Sequence, residues 1–273
     1  MAKTDCPKCG GTGWRTVARE AERGAAAPVL QAVRCECTAT DRDARLLERA
    51  RIPRRYEHCD FDNFDTRIYG GQPGGEAWDS SLEHALLVVQ GFAREYPVGT
   101  DHGLLLIGPC GAGKTHLGVA AVKEIARRGH NAIFYDYREL LKQIQDSYNP
   151  ERQATEMEVL EPVLTCGLLL LDDLGASKPS LWALETVGHI LNMRYNEKRH
   201  TLITTNFLDR EDAAPGGKPR AVPLPSGQAV RGAEDSLADR VGTRIRSRLY
   251  EMCRTVEIYS GDFRKEIRQA GRS

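Results

Sequence analysis

Gly108-Pro109-Cys110-Gly111-Ala112-Gly113-Lys114-Thr115 sets three glycines, a lysine and a hydroxyl at fixed spacing. Those residue types suit the grip of a phosphorylated ligand. Glycines at 108, 111 and 113 let the backbone curl until several N–H groups converge on one anion. Lys114 supplies a cation for β- and γ-phosphates, and Thr115 a hydroxyl for Mg²⁺. Apolar Leu104-Leu105-Leu106-Ile107 precedes the pattern, and a helical pattern follows it to about Arg128. Strand, glycine turn and helix is the P-loop arrangement, in which the helix aims its positive dipole end at the phosphates. Pro109, Cys110, Gly111, Ala112, Gly113, Lys114, Thr115 and His116 are therefore the expected nucleotide contacts.

A second chemical signal lies downstream in Leu168-Leu169-Leu170-Leu171-Asp172-Asp173. Four leucines predict a strand buried on both faces, as in a parallel sheet. Two acids then emerge at its carboxyl end, where open α/β sheets hold ligands. This is a Walker B element: Asp172 is expected to hold Mg²⁺, and Asp173 to polarise an attacking water. A further strand, Thr201 to Thr205, ends in Asn206. Two readings stand for that amide, a water-orienting group beside the γ-phosphate or a turn asparagine capping the next segment.

Cysteines supply the third candidate. Cys6-Pro7-Lys8-Cys9 is a C-x-x-C knuckle with Gly10 and Gly11 behind it, and Cys35-Glu36-Cys37 follows about 25 residues later. Two such pairs can surround one Zn²⁺ with four thiolates. Trp14 to Val17 and Val29 to Val33 are expected to pair as a hairpin between them, with Glu20 to Ala27 as its loop. So small a segment has too little core to fold without a metal. A redox dithiol is disfavoured because no thioredoxin-like βαβ pattern follows, and unrelated free thiols are the remaining reading.

The elements that must position these groups can be placed along the 273 residues. Thr38 to Arg51 reads as a charged helix rich in arginine, either a nucleic-acid or partner contact or a solvated linker. Pro53 ends it and marks the expected domain boundary, giving a zinc-binding module with linker helix over 1–52 and a nucleotide-binding domain over 53–273. Ile52 to Phe64 is a lead-in that either lines an adenine pocket or fills core. Gly70 to Gly75 reads as a loop. Ser80 to Tyr96, Tyr137 to Tyr148, Leu181 to Arg199 and Leu237 to Tyr250 read as helices; Asn131 to Tyr135 and Thr255 to Ile258 read as strands. In the last helix, Leu237, Val241, Ile245 and Leu249 form an apolar stripe, so its arginines project elsewhere. Residues 209–236 are poor in large apolar side chains and read as a mobile insertion, whose Lys218, Arg220 and Arg231 either touch a phosphate backbone or are simply solvated. The expected fold is α/β, five parallel strands with helices on both faces.

Composition narrows the partners. Thirty-eight Lys+Arg balance 38 Asp+Glu, so any nucleic-acid contact must use a local patch. No run of about 18 apolar residues is present, which excludes a membrane-spanning helix. The first residues lack an apolar signal core, so a cytoplasmic protein is expected, and the eight cysteines are not expected to form a disulfide set.

With these residues in place, the chain resembles the AAA+ ATPases of the DnaC/DnaI helicase-loader group, close to the IstB transposition helpers. The resemblance runs from about Ile52 to Arg264 and rests on Gly108–Thr115, on Leu168–Asp173 with Leu174 and Gly175, on Thr204-Thr205-Asn206 as sensor 1, and on the lead-in with Pro53, Tyr56, Cys59, Phe61 and Phe64. Ser247-Arg248-Leu249 is similar to the segment that carries the arginine finger, which implies that Arg248 reaches the nucleotide of a neighbouring subunit. About fifteen residues follow the last strand, too few for a full helical lid, and loaders of this group also lack one. Asp173 stands where many AAA+ proteins have Glu, which implies slow hydrolysis.

The resemblance implies an ATP-dependent loader of a replicative ring helicase of the DnaB type. It would use ATP, Mg²⁺ and Zn²⁺, self-associate through the arginine-finger interface, and contact single-stranded DNA through Tyr148 or Lys142. Its catalytic group would be Lys114, Asp173, Asn206 and Arg248; its metal ligands would be Thr115 and Asp172 for Mg²⁺ and Cys6, Cys9, Cys35 and Cys37 for zinc. The alternatives are an IstB-like helper acting on target DNA and an adaptor that binds ATP but barely hydrolyses it. A small-molecule P-loop kinase would not explain the arginine helix or the cysteine module.

Overall fold

Leu104 to Ile107 and Leu168 to Leu171 are apolar at every position, so both strands can satisfy their side chains only inside a sheet covered on two sides. A computed structural model shows this arrangement and describes residues 5–19, 29–68, 77–98, 102–149, 155–178, 180–209, 222–223, 229–230 and 236–263. In chain order the elements are β1 (Trp14–Arg19), β2 (Val29–Arg34), α1 (Glu36–Arg49), β3 (Arg67–Ile68), β4 (Ala77–Trp78), α2 (Ser80–Glu95), β5 (Gly103–Ile107) and α3 (Lys114–Arg127). They continue as β6 (Ala132–Asp136), α4 (Tyr137–Asp146), α5 (Glu156–Thr165), β7 (Leu168–Asp172), α6 (Leu181–Asn196), β8 (His200–Thr205), β9 (Val222–Pro223), β10 (Ala229–Val230), α7 (Leu237–Val241), α8 (Thr243–Met252) and β11 (Cys253–Glu257).

β5, β6, β7, β8 and β11 form a five-stranded sheet in the order β11-β5-β8-β7-β6, all parallel. The expected α/β architecture of five parallel strands is thus present. Alternation along each strand splits the core in two. Leu105, Ile107, Leu169, Leu171 and Ile203 face a cluster completed by α4 to α8. Leu104, Leu106, Leu168, Leu170 and Leu202 face the other, built on α2 and α3. Because β8 lies between β5 and β7, the carboxyl ends of those three strands open side by side. The P-loop, the two acids and Asn206 all leave from that edge.

β1 and β2 pair as the expected antiparallel hairpin, Trp14 opposite Arg34. The helix after it begins at Glu36 rather than Thr38, so Cys37 sits in its first turn. Ala50 at its end is buried against the α3 cluster, and its carbonyl accepts from the Phe134 amide at 2.8 Å. The helix expected over Leu237 to Tyr250 is two helices, because Gly242 at φ 79 interrupts it. The apolar stripe survives the break, with Leu237, Val241, Ile245 and Leu249 all buried. Helix α5 was not expected from the sequence pattern. Thr155 and Glu158 form a reciprocal capping box at its start, while Pro162 inside it masks the helical reading.

The Glu20–Ala27 and Gly70–Gly75 loops lie outside the described residues, as do Lys218, Arg220, Arg231 and most of 209–236. Among the described residues no helix is long and apolar enough to cross a membrane.

Candidate active site

Gly111 and Gly113 adopt φ of +84° and +87°, conformations that L side chains rarely take. Space forbids a side chain as well. A Cβ on Gly111 would come within 1.9 Å of the Asp262 carboxylate, and one on Gly113 within 2.6 Å of the Phe64 ring. The turn between β5 and α3 is thereby wound tightly enough to present its amides.

Lys114 opens α3, and its ammonium folds back across the turn. It is only 5 % exposed and donates to Gly108 O at 2.8 Å, Pro109 O at 2.7 Å and Asn206 Oδ1 at 2.7 Å. The Asn206 Nδ2 amide donates in turn to Asp173 Oδ1. One carboxamide from the end of β8 thus bridges the P-loop lysine and the second acid. Asp173 sits at φ +60°, in the left-handed region that Asp tolerates better than most residues. Its amide donates to Thr204 Oγ1 at 2.9 Å.

The neighbouring residue on each of the P-loop and β7 makes a second pair. The Thr115 hydroxyl donates to both Asp172 oxygens, at 2.9 and 3.1 Å. The Thr204 hydroxyl donates to Asp172 Oδ1 at 2.6 Å. Burial pushes the Asp172 carboxyl up to about 6, with the nearby Asp173 and Asp136 charges adding to the shift and the two threonine hydroxyls opposing it. A carboxylate and a hydroxyl at this separation, with one water-poor side, suit a hard divalent cation such as Mg²⁺, which takes oxygen ligands and keeps several waters. Thr204 was expected only as part of the sensor strand. Its hydroxyl in fact holds both acids in place, which only the β7–β8 register reveals.

Beside the turn lies a cavity of about 240 Å³. Its walls come from the lead-in (His58, Phe64), from α2 (Leu82), from α3 (His116) and from the segment after β11 (Ser260, Phe263). His116 Nε2 donates to Asp60 O at 2.8 Å, and its ring sits T-shaped against Phe64, the centroids 5.3 Å apart. Burial, the largest influence, holds the His116 imidazole below its ordinary value, so the ring is neutral near pH 7. Lys123 and Arg127 of α3 reach the Asp60 carboxylate at 2.6 and 3.0 Å and tie the lead-in to the P-loop helix. The lead-in packs on the core through Tyr56, Phe61 and Phe64, and Phe64 also lines the cavity. Ser260, Asp262 and Phe263 at this site carry no sequence signal of their own.

Arg248 lies apart from this group. Its described contacts are Glu251 Oε2 at 2.8 Å and the Tyr195 ring, 4.2 Å from the guanidinium. With its side chain one-third exposed, it is on a surface rather than in the pocket of its own chain.

The four amino-terminal cysteines meet as the spacing suggests. Their sulfurs all lie within 4.8 Å of one another, with Cys6 to Cys35 at 3.8 Å and Cys9 to Cys37 at 3.5 Å. Tetrahedral zinc with Zn–S of about 2.3 Å requires sulfurs about 3.8 Å apart. The Gly13 amide donates to Cys9 Sγ at 3.4 Å. Burial raises the Cys9 thiol, but the Gly13 amide and the Cys37 thiol outweigh it and bring it to about 7. The donor set fits a structural zinc ion, and none of the four sulfurs is in a disulfide.

Residues 88–211 match the family described as IstB-like ATP binding protein. Over 125 residues, 45% of this chain and 39% of the relative, the sequence is 30% identical to the replicative helicase loader DnaI of Bacillus subtilis (strain 168). Over 162 residues, 59% of this chain and 61% of the relative, it is 23% identical to the replicative helicase loader DnaC of Escherichia coli (strain K12). The chain thus spans less than two thirds of the length of these relatives. A crystal structure of the DnaC helicase loader superposes with a TM-score of 0.55 and 28% identity, covering 76% of this chain and 99% of that one. Residues 88–211 thus resemble the IstB-like ATP-binding family, in a chain that shares the fold of the DnaC helicase loader.

Proposed function

We propose that this chain binds ATP with Mg²⁺ at the β5–α3 turn, hydrolyses it slowly, and uses the cycle to load a replicative ring helicase onto single-stranded DNA. One observation carries the ATPase reading: Asn206 joins Lys114 to Asp173 while Thr115 meets Asp172 alongside. In that arrangement Lys114 exchanges its two carbonyl acceptors for phosphate oxygens. Asp173 takes the proton of an attacking water that Asn206 orients. Thr115 and Asp172 hold the Mg²⁺, whose chemistry is to neutralise charge on the phosphates. Asp173 is one methylene shorter than glutamate and stands farther from that water, which slows the step. Arg248 acts from a neighbouring copy, stabilising charge that develops in the transition state. Residues 1–52 serve as the zinc-dependent module that meets the helicase, and 53–273 as the ATPase.

The loader reading draws on the likeness to DnaC across nearly all of that solved chain. The match to the IstB-like family favours, as second reading, a helper that marks target DNA for transposition. Measuring ATP turnover with and without single-stranded DNA, together with a pull-down from the native cell, tests both. Turnover with a captured ring helicase supports the loader, and a captured transposase supports the second reading. ATP binding without turnover leaves only an adaptor.

Two further outcomes are expected. Metal analysis of the purified chain should find about one zinc, lost in the Cys6→Ser, Cys35→Ser double variant. A metal-free native protein contradicts the zinc assignment. Tyr148 is half exposed, hydrogen-bonded to Glu156 at 3.0 Å and edge-on to Trp182. Tyr148→Ala should weaken single-stranded DNA binding about tenfold, the value of one stacked base. Unchanged affinity for an oligothymidylate in a fluorescence titration removes this residue from the DNA surface.

A further inference from the structure

The last strand of the sheet runs directly past the P-loop. Ile258 N donates to Ile107 O at 2.8 Å, and a Cβ on Gly108 would strike Ile258 O at 2.6 Å. Tyr259 N then donates to Ser81 Oγ at 3.0 Å, which turns the chain across the mouth of the cavity. Three residues later it reaches the phosphate turn itself. Phe263 N donates to Gly111 O at 3.4 Å, and the Asp262 carboxylate lies so close to Gly111 that even a methyl group would not fit between them. Ser260 and Phe263 line the cavity together with Phe64 and His116.

An anion therefore rests against a turn whose glycines, amides and lysine are built to attract one. Nothing in the hydrolytic arrangement of Lys114, Asp172, Asp173 and Asn206 calls for a carboxylate at this position. The same short segment offers an aromatic ring, 45 % exposed, to the cavity beside the P-loop.

We propose that residues 260–263 form a strap that nucleotide must exchange against: the Asp262 carboxylate is displaced from Gly111 by the incoming phosphates, and Phe263 then remains as a wall for the base. This inference rests on the nucleotide reading of the site and adds a regulation to it.

Opposite signs separate the two halves of the strap. Asp262→Asn keeps the shape and removes the charge, so ATP should bind about two- to fivefold tighter, the span that a partly exposed charge interaction supports. Phe263→Ala removes the ring, and affinity should fall by a similar factor. Hydrogen–deuterium exchange of the wild-type peptide spanning 258–264 should rise when ATP and Mg²⁺ are added, because the Phe263 amide loses its Gly111 acceptor. Wild-type binding with an Asp262→Asn variant of equal or weaker affinity, or with unaltered exchange at 258–264, overturns the strap while leaving the nucleotide site standing. No ATP binding by wild type or by Asp262→Asn overturns both.

Discussion

Lys114→Ala is expected to lose ATP binding almost completely, with little change in folding. The ammonium is buried and shared among two P-loop carbonyls and Asn206. Those acceptors lie at the edge of an open turn and can be rewetted when the side chain is removed, so a thermal melt should move by a few degrees at most. The phosphates cannot be compensated in that way. A desolvated charge pair lost on one side costs about 3 kcal/mol or more, roughly a hundredfold in affinity. Titration with a fluorescent ATP analogue reads the loss directly. Unchanged affinity would mean that the lysine caps its own turn and no phosphate sits there. Lys114→Arg is the informative companion. It keeps the charge but not the compact shape that fits beneath Gly108 and Pro109, so it should recover little.

Arg248→Ala should behave in the opposite manner. Within its own chain the guanidinium meets Glu251 and stacks on Tyr195, and none of these residues belongs to the P-loop group. Binding of ATP to a single chain should therefore change by less than about threefold, the worth of an exposed ion pair. Turnover should collapse by about a thousandfold, since an arginine finger stabilises only the transition state. Measuring Kd and kcat on the same preparation separates the two effects. Equal losses in both would place Arg248 in its own chain's folding rather than in a neighbour's reaction.

The contrast between these residues separates what local sequence encodes from what only the assembled fold brings together. Leu104–Ile107 and Leu168–Leu171 are apolar throughout, which names central parallel strands, and the polar residues just beyond each must then emerge at one edge. Local order alone therefore carried Lys114, Thr115, Asp172, Asp173 and Asn206 to one place. The four cysteines were legible for a similar reason, because knuckle glycines and pair spacing are local. Helix α5 was hidden by Pro162, although Thr155 and Glu158 form the kind of capping box that marks a helix start. Gly242 kept the apolar stripe in phase while breaking the helix, so periodicity hid the break.

Contacts between distant elements were not legible. Thr204 holds both acids because β8 lies beside β7. Asp60 ties the lead-in to Lys123 and Arg127 of α3. Asp262 reaches Gly111 because β11 is the edge strand beside β5. The first and third depend on strand order and the second on how the lead-in packs against α3, none of which a local pattern encodes.

A pocket completed by the next subunit can be tested by mixing two inactive variants. In a Lys114→Ala and Arg248→Ala mixture, the first chain still offers its arginine and the second still offers an intact nucleotide site. ATP turnover measured on each variant alone and on the mixture is the most direct test. The predicted result is silence from each alone and recovered hydrolysis from the two together. A mixture as inactive as its components would contradict a reaction centre shared between neighbouring chains.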